Sequence, residues 1–133
     1  MTKRDLRVKL TAAVFGLLLL ATCAFAAQEG VTKRVRFARG RTTAILKNSV
    51  VRGTRDRYLV GARAGQKMTV SITAAERNAA FTIYAPSNDT LEGTSESQEV
   101  KNWSGTLPEN GDYVIEVGGT RGNATYTLKV TVR

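Results

Sequence analysis

The chain has 133 residues, a formal net charge of +9, a single cysteine and no histidine. The lack of histidine excludes serine–histidine and cysteine–histidine catalysis, together with zinc sites of the usual composition. The length suits one domain with one core. Two carboxylates could still form a glycosidase site, but the sequence singles out no acidic pair. We therefore expect a non-enzymatic protein that needs no cofactor and no metal, with an enzyme of this carboxylate type as the alternative.

The first 26 residues have the pattern of a secretory signal peptide. Four basic residues within positions 3–9 precede an apolar run, residues 12–20, and Ala24-Phe25-Ala26 offers a small-x-small cleavage site. The apolar run is too short to span a bilayer comfortably. We predict cleavage after Ala26, a mature domain of residues 27–133, and a periplasmic or secreted location.

The single cysteine leaves an alternative open. Leu20-Ala21-Thr22-Cys23 resembles a lipoprotein box, in which Cys23 would become the lipidated first residue. If cleavage follows Ala26 instead, the mature protein contains no cysteine, and no disulfide stabilises it. Its hydrophobic core then supplies the stability.

Beyond residue 27 the apolar residues follow a period of two, which is the pattern of half-buried β-strands. The cleanest example is 67–73, where Met68, Val70 and Ile72 alternate with polar residues. Eight strands are predicted, around residues 35–37, 44–50, 57–63, 67–73, 79–85, 103–107, 113–117 and 126–132. This spacing, with no amphipathic helix, predicts an all-β fold: a single antiparallel β-sandwich whose core surrounds Trp103, Tyr113 and Tyr126.

Residues 87–100 lose the alternation and are rich in polar side chains, which predicts a long surface loop. Asp89, Glu92, Glu96 and Glu99 offer oxygen ligands of the kind that calcium prefers. They lack the fixed spacing of a dedicated calcium loop, so a solvated loop is the favoured interpretation and a calcium site is the alternative.

Two predicted turns carry the candidate partner-binding residues. Arg121 lies between two glycines ahead of the last strand, and Arg55 and Asp56 lie in an earlier turn. If both turns close the same end of the sandwich, these residues lie side by side. The planar guanidinium of arginine pairs bidentately with carboxylates, including those of an enzyme's cleft. An ordinary solvated turn is the alternative.

The charge is unevenly distributed along the chain. Residues 27–133 include 16 basic and 10 acidic side chains, a net charge of +6, to which residues 27–77 contribute +9 and residues 78–133 contribute −3. A basic half suits anionic cell-wall polymer, so a carbohydrate- or cell-wall-binding module is the second functional hypothesis. Basic residues that only solvate the outer faces of strands are the alternative. Nucleic acid is not an expected partner of an exported chain.

One segment resembles known secreted domains. GTRDRYLVGARAGQKMTVSI, residues 53–72, is similar to the bacterial pre-peptidase C-terminal (PPC) domain. With SGTLPENGDYVIEV, residues 104–117, and the ending ATYTLKVTV, the chain is more similar still to the periplasmic inhibitors of goose-type lysozyme. The resemblance covers residues 53–132 and implies the sandwich fold.

The resemblance also implies an exported inhibitor of goose-type lysozyme or a similar cell-wall hydrolase. In that family, arginine-bearing loop residues ahead of the last strand enter the lysozyme's cleft. The matching loop here is 118–123, which contains Arg121. Inhibitors of other lysozyme classes carry a Ser-Gly-x-x-Tyr motif, and Ser104-Gly105-Thr106-Leu107-Pro108 does not match it.

Overall fold

The structure, a computed structural model, describes residues 30–133, so the predicted signal peptide and Cys23 lie outside the described residues. Within this range the chain forms eight strands: β1 Thr32–Arg34, β2 Thr43–Val50, β3 Asp56–Ala62, β4 Lys67–Ala74, β5 Ala79–Tyr84, β6 Asn102–Thr106, β7 Gly111–Gly119 and β8 Ala124–Val132. Two single 3-10 turns, Ala75–Arg77 and Glu96–Gln98, are the helical elements of this range. None of its helices has the length and apolar character needed to cross a membrane.

The strands form two four-stranded sheets that pack face to face. Sheet A has the order β1-β3-β7-β5, and sheet B has the order β2-β8-β4-β6. All strand pairs are antiparallel except β1 with β3, which is parallel. The parallel pair arises because β2, which lies between β1 and β3 in the chain, belongs to the other sheet. The predicted β-sandwich is confirmed, but this pair is parallel and the first strand lies at Thr32–Arg34 instead of the predicted 35–37.

The core lies between the sheets and is formed by the residues that the alternation places inward. Met68, Val70, Tyr113, Ile115 and Leu128 all have 0% relative exposure. Burying one such side chain stabilises the fold by about 1.5–3 kcal/mol. In the central strands β7 and β8, every second residue is buried from Tyr113 to Val117 and from Ala124 to Val130. The inward stripe therefore holds the two sheets together.

Trp103 departs from the predicted core position. It is only partly buried, because β6 is the edge strand of sheet B and offers one strand neighbour instead of two. Its indole Nε1 donates a hydrogen bond to the carbonyl of Glu92 at 3.0 Å. The tryptophan thus closes the side of the sandwich rather than filling its centre.

The predicted surface loop 87–100 was only partly right. Leu91 and Thr94 within it are buried, with 8% and 0% exposure. The Leu91 amide donates to the Ile83 carbonyl at 2.9 Å, and the Phe81 amide donates to the Val100 carbonyl at 3.0 Å. The segment therefore covers the outer edge of β5. Backbone pairing of this kind requires no apolar alternation, so the sequence pattern did not reveal it.

Candidate functional site

Three connections meet at one end of the sandwich: residues 51–55, 75–78 and 120–123. We call this end the Arg121 end. The side-chain oxygen of Asn123 accepts a hydrogen bond from the Arg52 amide at 2.7 Å, and the Asn78 amide group donates to the Asn123 carbonyl at 2.8 Å. The Thr120 amide donates to the Asn78 carbonyl at 3.0 Å. The loop that carries Arg121 is therefore braced from both sides.

This loop closes tightly because Gly119, the residue that precedes it, has no side chain. A Cβ atom on Gly119 would lie 2.0 Å from the Gly122 carbonyl oxygen, which no side chain tolerates. Arg121 lies at the exposed tip between them. Its guanidinium has no hydrogen-bond or ion-pair partner among residues 30–133. The loop thus presents one uncompensated cation on a rigid support.

Arg55 lies at the same end, on the outer face of sheet A. A Cβ atom on Gly118 would lie 2.8 Å from Nη1 of Arg55, so the guanidinium packs directly over the glycine. Its Nη2 pairs with Oε1 of Glu96 at 2.5 Å, and the two side chains are 38% and 71% exposed. Arg55, Glu96, Gly118 and Thr120 are among the residues that line a shallow cleft of about 220 Å³. Arg55 and the Arg121 loop therefore border on one another.

Asp56 does not lie in an exposed turn, contrary to the sequence-based expectation. It is the first residue of β3, it points inward, and only 2% of it is exposed. Its carboxylate accepts hydrogen bonds from the Val31 amide at 2.9 Å, from Nδ2 of Asn48 at 3.0 Å and from the hydroxyl of Tyr126 at 2.6 Å. All of its contacts are internal.

Two tyrosines extend this buried network. Because Tyr126 donates its proton to Asp56, the hydroxyl of Tyr58 donates to that of Tyr126, at 2.5 Å. Burial raises the pKa of Tyr126, and the contacts with Asp56 and Tyr58 raise it further. Burial also raises the pKa of Tyr58. Both hydroxyls stay protonated at neutral pH and hold the start of β3 in place beside Arg55.

The acidic residues considered for calcium do not converge. Within the described range there is no group of three or more acidic or cysteine side chains arranged to hold a metal ion. Glu96 instead pairs with Arg55, across 41 positions of sequence. Neither this ion pair nor the bracing by Asn78 and Asn123 was predicted. Their partners are distant in the chain, and no local spacing signals them.

Comparisons with solved structures match this architecture. The structure of PliG from Aeromonas hydrophila, a periplasmic lysozyme inhibitor of g-type lysozyme, superimposes with a TM-score of 0.64 and 30% sequence identity, over 80% of this chain and 100% of that one. For PliG from Salmonella Typhimurium, a periplasmic lysozyme inhibitor of g-type lysozyme, the TM-score is 0.64 and the sequence identity is 23%, over 78% of this chain and 99% of that one. The pre-peptidase C-terminal domain of Bacillus anthracis collagenase shares the fold. Its TM-score is 0.57 and its sequence identity is 12%, over 81% of this chain and 100% of that one.

The comparisons at the level of sequence alone give nothing further. No protein-family model matches the chain, and no curated protein matches it. The resemblance seen in the sequence is nevertheless confirmed by the structures, including the likeness to the PPC domain. With 30% identity along the whole length of the Aeromonas protein, the chain belongs to the family of periplasmic inhibitors of g-type lysozyme.

Proposed function

We propose that this protein is an exported, non-enzymatic inhibitor that acts in the periplasm on a g-type lysozyme, with the Arg121 end as its binding site. The observation that carries the proposal is the 30% identity to a g-type lysozyme inhibitor, which this chain matches over that protein's full length. The predicted signal peptide supports export.

Arg121 is the principal contact residue of the proposed site. Glycosidase clefts hold a pair of carboxyl groups around the scissile bond. An arginine guanidinium pairs bidentately with such a carboxylate, and the Arg121 side chain is exposed and unpaired among the described residues. The hydrogen bonds from Asn78 and to Asn123 hold the loop before binding, which lowers the conformational entropy lost on association.

Arg55 provides a second cation at the same end. Its pair with Glu96 is solvent-exposed, and exposed ion pairs contribute about 0–1 kcal/mol. Exchanging Glu96 for a carboxylate of the enzyme therefore costs little. Asp56 has a structural role in this proposal: it fixes the start of β3 and with it the backbone that carries Arg55.

Inhibition of a purified g-type lysozyme by the mature chain tests the proposal. Arg121→Ala should raise the inhibition constant about 30-fold, equivalent to about 2 kcal/mol, because it leaves a buried carboxylate of the enzyme unpaired. Arg55→Ala should raise it less. Arg63→Ala is the matched control, since Arg63 is an exposed arginine in the β3–β4 turn at the opposite end.

All three variants change exposed or half-exposed side chains, so each should keep the urea unfolding midpoint of the wild type within error. The proposal is wrong if the wild-type protein fails to inhibit at high molar excess. Equal inhibition constants for Arg121→Ala and Arg63→Ala would remove the Arg121 end from the binding site.

A further inference from the structure

The ion pairs of the described chain all lie on one side of the sandwich. Arg34 pairs with Asp112 at 2.7 Å and Arg57 pairs with Glu116 at 3.0 Å, both on the outer face of sheet A. The third pair, Arg55 with Glu96, lies beside them. The cations of this face are therefore largely neutralised by neighbouring carboxylates.

Sheet B has the opposite character. Its four strands contain no aspartate and no glutamate, but they contain Lys47, Lys67 and Lys129. All three lysines are exposed, at outward positions of β2, β4 and β8. None forms an ion pair within residues 30–133. The basic residues on the strands of the first half of the sequence therefore lie on two different sheets, because β1 and β3 belong to sheet A whereas β2 and β4 belong to sheet B.

The lysines are surrounded by hydroxyl groups. Facing side chains on neighbouring strands pair with each other: Thr43 with Thr131 at 2.9 Å, Thr69 with Ser104 at 3.0 Å and Ser49 with Thr125 at 2.8 Å. Each pair has two O–H donors and uses one of them internally. The second O–H donor of every pair is therefore not used within the pair. We call this surface of lysines and paired hydroxyls the lysine face.

We propose that the lysine face is a second binding surface, which docks a phosphate-bearing glycan polymer of the cell envelope. Lysine binds phosphate as a compact point charge, and three such charges lie exposed and without an ion-pair partner on this face among the described residues. The remaining hydroxyl donors suit sugar oxygens. With no carboxylate on these strands, the face has no anion of its own in competition with the ligand.

The composition of the face favours a polymer over a protein partner. Protein interfaces are enriched in aromatic residues and depleted in lysine and serine. On the lysine face only Ile45, at 62% exposure, is a large exposed apolar residue among those described. The lysines also lie on three different strands, with Lys47 diagonally opposite Lys129, so their charges are spread over the sheet. An extended chain with repeated charges reaches all of them, whereas a single small anion does not.

The lysine face is separate from the proposed lysozyme-binding site, because it forms one side of the sandwich and the Arg121 end is one of its tips. Both surfaces are open at the same time. Docking on envelope glycan would concentrate the inhibitor where a wall-degrading enzyme works.

The test uses the mature chain and immobilised phosphomannan, with phosphate-free mannan as the reference ligand. The wild type should bind phosphomannan and not mannan. Binding should disappear as the salt rises from about 10 mM to about 1 M, since the Debye length shortens from about 30 Å to about 3 Å. Lys47→Gln, Lys67→Gln and Lys129→Gln combined should weaken binding about tenfold or more, because three surface ion contacts are lost together.

The control combines Arg36→Gln, Arg39→Gln and Arg63→Gln, three exposed arginines outside the strands of sheet B. It lowers the net charge by the same amount and should weaken binding less than about threefold. Equal losses in the two triple variants, binding to mannan as strong as to phosphomannan, or no binding at low salt would each overturn the proposal. The lysine triple variant should still inhibit g-type lysozyme as the wild type does, so the two functions fail independently.

Discussion

Replacing Asp56 with alanine should be among the most destabilising single changes in this protein. The carboxylate is 98% buried, given 2% exposure, and it accepts three hydrogen bonds. One donor precedes β1, and the other two, Asn48 and Tyr126, lie on β2 and β8 of sheet B. A single side chain of sheet A therefore ties both sheets together at the Arg121 end.

The cost follows from the donors that lose their acceptor. A buried donor without a partner costs about 1–3 kcal/mol. The Tyr126 hydroxyl is such a donor, whereas the hydrogen bonds from the Val31 amide and Asn48 are only part-buried, and Tyr126 can turn its hydroxyl toward Tyr58 and recover part of the cost. We therefore expect Asp56→Ala to lower the free energy of unfolding by about 2–4 kcal/mol. Asp56→Asn keeps the size of the side chain and should cost less, about 1–3 kcal/mol.

Urea unfolding monitored by the fluorescence of Trp103, the only tryptophan, measures these values. Asp89→Asn is the control, because Asp89 is exposed and its change should stay within about 0.5 kcal/mol. A loss below about 1 kcal/mol for Asp56→Ala would show that these hydrogen bonds do not hold the two sheets together. Wild-type stability of Asp56→Asn combined with weaker lysozyme inhibition would show instead that Asp56 acts on the partner.

Three further predictions concern the site and the pH dependence of stability. Gly118→Ala places a methyl group against the Arg55 guanidinium, so it should weaken lysozyme inhibition about threefold, with under about 1 kcal/mol lost in a urea melt. The hydrogen bond from Arg34 lowers the pKa of Asp112 in the folded protein. The Arg34–Asp112 pair therefore stabilises the fold fully above the unfolded-state pKa of about 3.9, and this stabilisation is lost as the pH falls and Asp112 becomes protonated. The stability difference between wild type and Arg34→Gln should therefore shrink between about pH 5 and about pH 2 in acid melts, and a constant difference would contradict it. Burial raises the pKa of Tyr126 in the folded protein. The protonated hydroxyl therefore stabilises the fold fully below the unfolded-state pKa of about 10, and this stabilisation is lost as the pH rises above it. The stability difference between wild type and Tyr126→Phe should accordingly shrink in alkaline melts.

The central strands were predictable because burial of one face imposes a period of two. Met68, Val70 and Ile72 alternate with polar residues in β4, and Tyr113, Ile115 and Val117 are the buried residues at every second position of β7. Such strands need no information from elsewhere in the chain. In contrast, all three residues of β1 are exposed and its partner strand is parallel. Neither property produces an alternation of apolar and polar residues, so the sequence did not indicate this strand.

The site was predictable only as far as its arginines. Their turns follow from glycine positions, and the structure places both turns at one end. What surrounds them depends on contacts between distant residues: Asp56 is buried by partners as far as 70 positions away, and Arg55 meets Glu96 across 41. The sequence pattern around Asp56 is that of any polar turn, so its burial became evident only from the packing of the two sheets.

The most direct test of lysozyme inhibition is the activity of a g-type lysozyme on cell walls in the presence of increasing amounts of the purified mature protein. A chicken-type lysozyme measured in parallel controls for nonspecific effects of a basic protein. We expect saturable inhibition of the g-type enzyme at micromolar or lower concentration, and no inhibition of the chicken-type enzyme. Undiminished activity of the g-type enzyme at high molar excess of a folded protein would show that the protein does not inhibit it.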